Sequence, residues 1–157
     1  MSALLENLRR ICGDANVLTH DDPHTDLSAW EQDWRKRSHG RALAVVRPAN
    51  VQEVAAVVKA CANTSTSIVP QGGNTGLVGG AVPVADNNAE KRPHVVLKTG
   101  RIREVLKLDE SNLTLTASAG YTLHEIQEYA EAHGFLFPLS LASEGTCTLG
   151  GTLASNA

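Results

Sequence analysis

Residues 67–80 read SIVPQGGNTGLVGG: a short apolar run closed by proline, then a stretch from Gln71 to Gly80 in which five of ten positions are glycine. The chain of 157 residues holds only thirteen glycines, so this cluster marks a place where bare backbone is required. SIVP, Ser67–Pro70, reads as a strand. Upstream, Leu43–Val46 reads as another, closed by Pro48 of the RPAN stretch. Asn50 then opens a helix over 51–62, with Glu53 at capping-box spacing. Its Val54, Ala55, Val57, Val58 and Cys61 recur at helical spacing. Strand, helix, strand over this distance predicts a parallel, right-handed βαβ unit whose second strand delivers the glycines.

Beyond them the pattern changes. VPVADNNAEKRP, 82–93, reads as a loop leading into a strand His94–Lys98. Val105–Asp109 and Leu113–Ala119 alternate apolar and polar around Glu110, Ser111 and Asn112, which predicts an antiparallel hairpin with one buried face. Thr122 and Glu125 form a second capping box, opening a helix with Leu123, Ile126, Tyr129 and Ala130 on one face and Gly134 as its stop. At the other end, 2–12 is an amphipathic helix with Leu4, Leu5, Leu8, Ile11 and Cys12 inward, Ser2 as cap and Gly13 as stop. The charged segment 19–41 reads as irregular, anchored by Leu27, Trp30 and Trp34. The fold class is therefore α+β, with two α/β subdomains: a parallel βαβ layer followed by the start of an antiparallel sheet with helices. The divisions fall at 1–40, at 41–100 with the glycine loop at 70–80, and at 101–157.

Composition narrows the function. A hydrophobic content of 42% is enough for one core, and a net charge of -3 creates no field that attracts nucleic acid or an anionic membrane. The longest apolar runs are too short for a transmembrane segment, and residues 1–13 do not read as a signal peptide, so the expected location is cytoplasmic. Cys12, Cys61 and Cys147 are scattered and odd in number, which predicts buried, reduced thiols. His20, Asp21, Asp22, His24 and Asp26 are crowded into one loop with no partner spacing elsewhere, so no metal is expected. His124 and Glu125 share a helix's first turn, where Glu125 is explained as a cap partner.

From Ala60 to Ala85 there is no charged residue and no histidine. Glycines after a strand let backbone N–H groups form a concave nest for phosphate oxygens, with no Cβ in the way. Gly80 is followed by Ala81 and Val82, so this is not a P-loop, and Gly73, Gly76 and Gly79 do not match the dinucleotide fingerprint of a Rossmann fold. A nucleic-acid clamp at Gly73–Gly76 lacks the basic neighbours it needs. Spacing alone leaves a phosphate cradle and a structural bend open. Asn74 and Thr75 favour binding, because short polar side chains beside a nest add hydrogen bonds.

IVPQGGNTGLVGGAVPV resembles the pyrophosphate loop of flavoproteins whose FAD-binding domain is named after p-cresol methylhydroxylase and vanillyl-alcohol oxidase. The resemblance is strongest to their D-2-hydroxyacid dehydrogenase branch, which includes D-lactate, D-2-hydroxyglutarate and glycolate dehydrogenases. It extends through Asp33-Trp34, RALAVVRPANVQEV at 41–54, NLTLTASAGYTL at 112–123 and FPLSLASEGTCTLGGTLASNA at 137–157. It implies two subdomains with FAD extended between them. Gly72, Gly73, Asn74, Thr75, Gly76, Leu77, Gly79 and Gly80 would surround the diphosphate; Pro138, Ser143, Gly145, Thr146, Gly150, Gly151, Ser155 and Asn156 would lie along the flavin and ribityl chain. Where covalent members carry a histidine, this chain has Gly73-Asn74-Thr75, which implies non-covalent FAD.

The implied activity is hydride transfer from a D-2-hydroxy acid to the flavin, giving a 2-oxo acid. The resemblance further implies that the catalytic groups lie in a later substrate domain, so no catalytic residue is expected here and the substrate would be a partner only of the full-length enzyme. The end of the chain, GGTLASNA, predicts a truncated domain that is inactive alone and exposes apolar faces open to homo-oligomer formation. The alternative is a cofactor-free interaction module with the same fold.

Overall fold

The computed structural model describes residues 2–84 and 92–157. Two strands dominate the core because nothing polar interrupts them: β2 (Ala44–Val46) and β4 (His94–Lys98), with Ala44, Val45, Val46, Val95 and Val96 fully buried. Continuous apolar strands are what a parallel sheet covered on both faces demands. The sheet runs β1-β2-β4-β3, with β1 at Val17–Leu18 and β3 at Ser67–Gln71. β2 and β3 each pair with β4 in parallel, and β1 adds antiparallel to β2. The expected βαβ unit is present, with one change: β4 inserts between its two strands.

Alternation along these strands separates two apolar clusters. Ala44, Val46, Val95 and Leu97 face α1 (Ser2–Cys12) and α3 (Val51–Asn63), where Leu4, Leu8, Val57 and Cys61 meet them. Val45, Val69 and Val96 face the opposite way, toward Leu27, Ala42 and Trp30. Residues 2–40 are thus built into the first layer, α1 covering one face of the sheet and β1 extending its edge. Their irregular part contains a helix the sequence did not signal, α2 (Ser28–Glu31). Leu27 and Trp30 anchor it as expected, but Trp34 is 75% exposed and anchors nothing. The capping role expected of the Ser2 side chain and much of the loop expected over 82–93 lie outside the described residues.

Local chemistry sets the helix ends. Asn50 Oδ1 accepts from Glu53 N at 2.8 Å, while the Glu53 carboxylate reaches back one residue further than in a capping box, to Ala49 N at 2.7 Å. Gly13, at φ 83°, ends α1. Burial, with a smaller effect of nearby Glu53, pushes the Cys12 thiol up to about 11, and burial raises Cys61 as well; all three cysteines are free and buried.

The second layer begins with the hairpin β5 (Leu106–Asp109) and β6 (Thr114–Ala117), paired Leu106 to Ala117 and Leu108 to Leu115. Those four side chains share one half-buried face. α4 (Leu123–Ala132) starts at a complete capping box: Thr122 Oγ1 accepts from Glu125 N at 3.2 Å, and Glu125 Oε2 from Thr122 N at 2.8 Å. Gly134, at φ 79°, turns the chain so that Phe135 N–H returns to the Ala130 carbonyl. The last helix is α5 (Leu149–Ser155), a stretch to which the sequence reading assigns no element.

Because Leu8 is fully buried and Trp34 is not, Leu8→Ala should lower stability by about 2–5 kcal/mol and Trp34→Ala by less than about 0.5 kcal/mol. Urea unfolding of the two variants checks this; equal losses would remove α1 from the core.

Candidate functional site

The site forms where β3 ends. In open α/β sheets the crevice beyond the carboxyl ends of parallel strands is where ligands are held. Gln71, the last residue of β3, is 1% exposed, and its Nε2 donates to the carbonyls of Ala81 at 2.7 Å and Trp30 at 2.9 Å. One side chain thus ties the two ends of the glycine loop together and fixes both to α2. Asn74, left-handed at φ 55°, donates from Nδ2 to Gln32 O at 2.8 Å and Ala29 O at 3.1 Å. Its side-chain NH2 therefore fastens the loop to the 29–32 segment and is not available to a phosphate, leaving its backbone N–H as the donor. Ser38 backs Gly79, which sits at φ 73°. The turn carrying Ser38 is held by buried Asp33, whose Oδ1 accepts from Arg37 N and Ser38 N, both at 2.7 Å.

The loop so fastened keeps its amides open. Among the described residues, the backbone N–H groups of Gly73, Asn74, Thr75, Gly76, Leu77, Val78, Gly79 and Gly80 donate no hydrogen bond. A Cβ built on Gly76 or Gly80 would meet nothing within 4 Å among the described residues. Those glycines leave space that the fold does not fill.

Gly72 and Gly73 are bare for a different reason. A Cβ on Gly73 would run into the Thr146 carbonyl and come within 2.9 Å of Cys147 Cα, and one on Gly72 would collide with Thr148 Oγ1. Backbone therefore lies against backbone, and the two motifs that are far apart in the chain meet here. The second motif is held from its other side by residues 119–124. Leu123 N donates to Cys147 O at 3.0 Å, Leu149 N to Tyr121 O at 2.8 Å, and Gly150 N to Ala119 O at 3.1 Å.

Not every expected residue converges. Thr146 lies at the junction, and Gly145 has open space around it. Gly150 packs on Ala119 and Gly151 N–H donates to the Thr148 cap at 3.3 Å, so both amides are engaged in the first turn of α5. Ser155 Oγ donates to Gly151 O, and Asn156, at φ 52°, caps the helix end. Pro138 lines a separate cleft of about 550 Å³ against α4, with Gln127, Glu131, Phe135 and Glu144. Of the acidic loop, His20 pairs with Glu31 at 2.8 Å, while Asp22 and Asp26 close turns at Thr25 and Ser28. Among the described residues no group of three or more such side chains could hold a metal ion.

One charged group beside the loop escaped the sequence reading. Lys98, at the end of β4, pairs in register with Gln71, and its Nζ donates to the Gly72 carbonyl. The loop is uncharged in sequence, but the neighbouring strand brings a cation to its base. Burial pushes the Lys98 pKa below its ordinary value.

Eight open amides, four of them on glycines, and no carboxylate in the loop suit a group with adjacent anionic oxygens. A family model described as FAD binding domain matches residues 42–157. The chain belongs to that family of FAD-binding domains. It is 34% identical over 149 residues to the mitochondrial D-2-hydroxyglutarate dehydrogenase of Arabidopsis thaliana, covering 95% of this chain and 25% of that one. It is 36% identical over 136 residues to the enzyme of the same name from Bos taurus, covering 87% and 24%. The chain thus spans about a quarter of the length of these relatives. Among solved structures, alkyldihydroxyacetonephosphate synthase superposes with a TM-score of 0.81 at 21% identity, over 98% of this chain and 29% of that one. p-Cresol methylhydroxylase superposes with a TM-score of 0.72 at 19% identity, over 97% and 28%. The FAD-binding fold is therefore the one the resemblance implied.

The cytoplasmic expectation is corrected by the same relatives, which are named as mitochondrial. It rested on the lack of apolar spans and of signal-peptide character, and these do not distinguish one aqueous compartment from another. Among the described residues no helix is long and apolar enough to cross a membrane.

Gly73→Ala should destabilise the domain by about 1–3 kcal/mol, since backbone on two segments must move, whereas Gly76→Ala should leave unfolding within about 0.5 kcal/mol of wild type. Thermal or urea unfolding checks both. The pH dependence has a defined sign. With the folded pKa of Lys98 below 10.5, the unfolded chain holds the proton more tightly, so its contribution to stability rises as pH climbs from the folded value to 10.5. Lys98→Met should lack this rise, read as the difference in unfolding midpoint between the two proteins across that range.

Proposed function

We propose that the chain is the cofactor-holding part of a flavin-dependent dehydrogenase that oxidises a D-2-hydroxy acid to a 2-oxo acid, with FAD held non-covalently. The single observation carrying the cofactor reading is the row of open backbone amides from Gly73 to Gly80, fixed at the carboxyl ends of a parallel sheet. Gly73, Asn74, Thr75, Gly76, Leu77, Gly79 and Gly80 would hold the diphosphate through main-chain N–H, with Gly72 setting the loop's start. Gly145 and Thr146 would lie beside the flavin end. Bound FAD supplies the two-electron acceptor for the oxidation.

The substrate class is supported by the names of the relatives: D-2-hydroxyglutarate dehydrogenases in Arabidopsis thaliana and Bos taurus, and a D-2-hydroxyglutarate–pyruvate transhydrogenase in Saccharomyces cerevisiae, 31% identical over 153 residues and 29% covered. Since the chain spans about a quarter of the length of these relatives, the substrate-binding and proton-transfer groups would lie in the rest of a longer enzyme. The protein's contribution here is to orient the cofactor and keep its phosphates in a site shaped by dipoles.

The full-length protein should be yellow as purified, release all its flavin on denaturation and lose the flavin's visible absorbance anaerobically on addition of D-2-hydroxyglutarate or D-lactate but not the L-enantiomers. A protein that neither carries nor takes up FAD would favour the cofactor-free module. Flavin that is reduced by neither D-acid would leave the cofactor reading and remove the substrate class.

A further inference from the structure

Lys98 ends β4, the strand flanked on both sides in the first sheet. Side chains alternate faces along a strand. Val96 packs with Val69 and Leu27, so Lys98 continues that face past the apolar layer, as Gln71 does beyond Val69. Two polar side chains therefore stand side by side at the carboxyl end of the sheet, directly under the glycine loop.

Each is only partly satisfied by the described residues. Lys98 is half-buried, and its recorded hydrogen bond goes to the Gly72 carbonyl. Among the described residues no carboxylate lies within ion-pair distance of it. Gln71 Oε1 is buried without a hydrogen-bond partner among those residues, although both protons of the same amide are engaged. Burying an ammonium without a counter-charge is unfavourable, and the downward shift of Lys98, caused by burial, is the mark of it. A charge placed so is explained if an anion arrives.

The geometry adds a second effect. A trans peptide holds its C=O and N–H in opposite directions. With the Gly72 carbonyl turned to Lys98, the N–H of Gly73 points away from Lys98 and joins the row of open amides. We propose that Lys98 is a positioning residue for the dinucleotide's diphosphate: its ammonium orients the Gly72–Gly73 peptide and supplies the positive charge that residues 60–85 lack. The proposal rests on the FAD reading above. It makes the cradle partly ionic, where its sequence makes it appear purely dipolar.

The test is FAD reconstitution of the flavin-stripped full-length protein, followed by flavin fluorescence at several salt concentrations, for wild type, Lys98→Met, Lys98→Gln and Lys98→Arg. Loss of the ammonium charge should weaken FAD binding by roughly tenfold or more in the Met and Gln variants and flatten its dependence on salt, while Arg retains both affinity and salt dependence. The Gln variant keeps a donor for Gly72 without the charge and guards against a Met variant that does not fold. Met and Gln variants that bind FAD like wild type, or bind it more weakly with the salt dependence unchanged, would overturn the proposal while leaving the flavin reading intact. A wild-type protein that takes up no FAD would overturn both.

Discussion

The structure depends on one contact between two pieces of main chain: Gly73 lying flat against Thr146 and Cys147, with Gly72 beside Thr148. No side chain can enter that contact, so glycine is required there by space alone. The first sheet and its loop are on one side of it; on the other are the capped start of α4 and the segment that leads into α5. If it opened, the row of amides would still exist, but it would face no second wall. The glycines of the loop consequently divide into two kinds, those that let the protein close on itself and those, Gly76 and Gly80, that leave room for something else.

The same division runs through the polar side chains around the loop. Gln71 and Asn74 direct their amide protons at carbonyls of residues 29, 30, 32 and 81, so both serve as fasteners. Fastening the loop by side chains leaves its backbone donors unused, which is the condition for a dipolar site that costs no reorganisation when a ligand enters. α2, a single turn of helix, is the surface to which the loop is fastened, and it is held in turn by Leu27 and Trp30 beneath the sheet.

How far the sequence could be read follows from how local each interaction is. α3 and α4 were legible because their caps, Asn50 with Glu53 and Thr122 with Glu125, lie three residues apart and each helix shows an apolar face. The hairpin was legible from alternation. α5 was not, because two glycines in its first turn lower its helix propensity and its support is remote: Tyr121 and Ala119 carbonyls accept its first amides, and Ala119 packs against Gly150. β1 is two residues long and exists only through pairing with β2. The placement of β4 between β2 and β3 is a matter of sheet order, which no local pattern encodes. In the site, the glycine cluster was legible as a stretch of bare backbone after a strand, while the use of Asn74 as a fastener and the arrival of Lys98 from another strand required the third dimension.

The junction also joins residues very distant in the chain, so the entropy of closing that long loop must be met before the cleft has two sides. The β5–β6 hairpin and the capped helices are built from neighbours in sequence, whereas the contact between the layers needs segments that are far apart to be in place. A small molecule bridging both layers would then act as a latch on the last step of folding, and the empty protein would breathe first along this seam rather than within either layer.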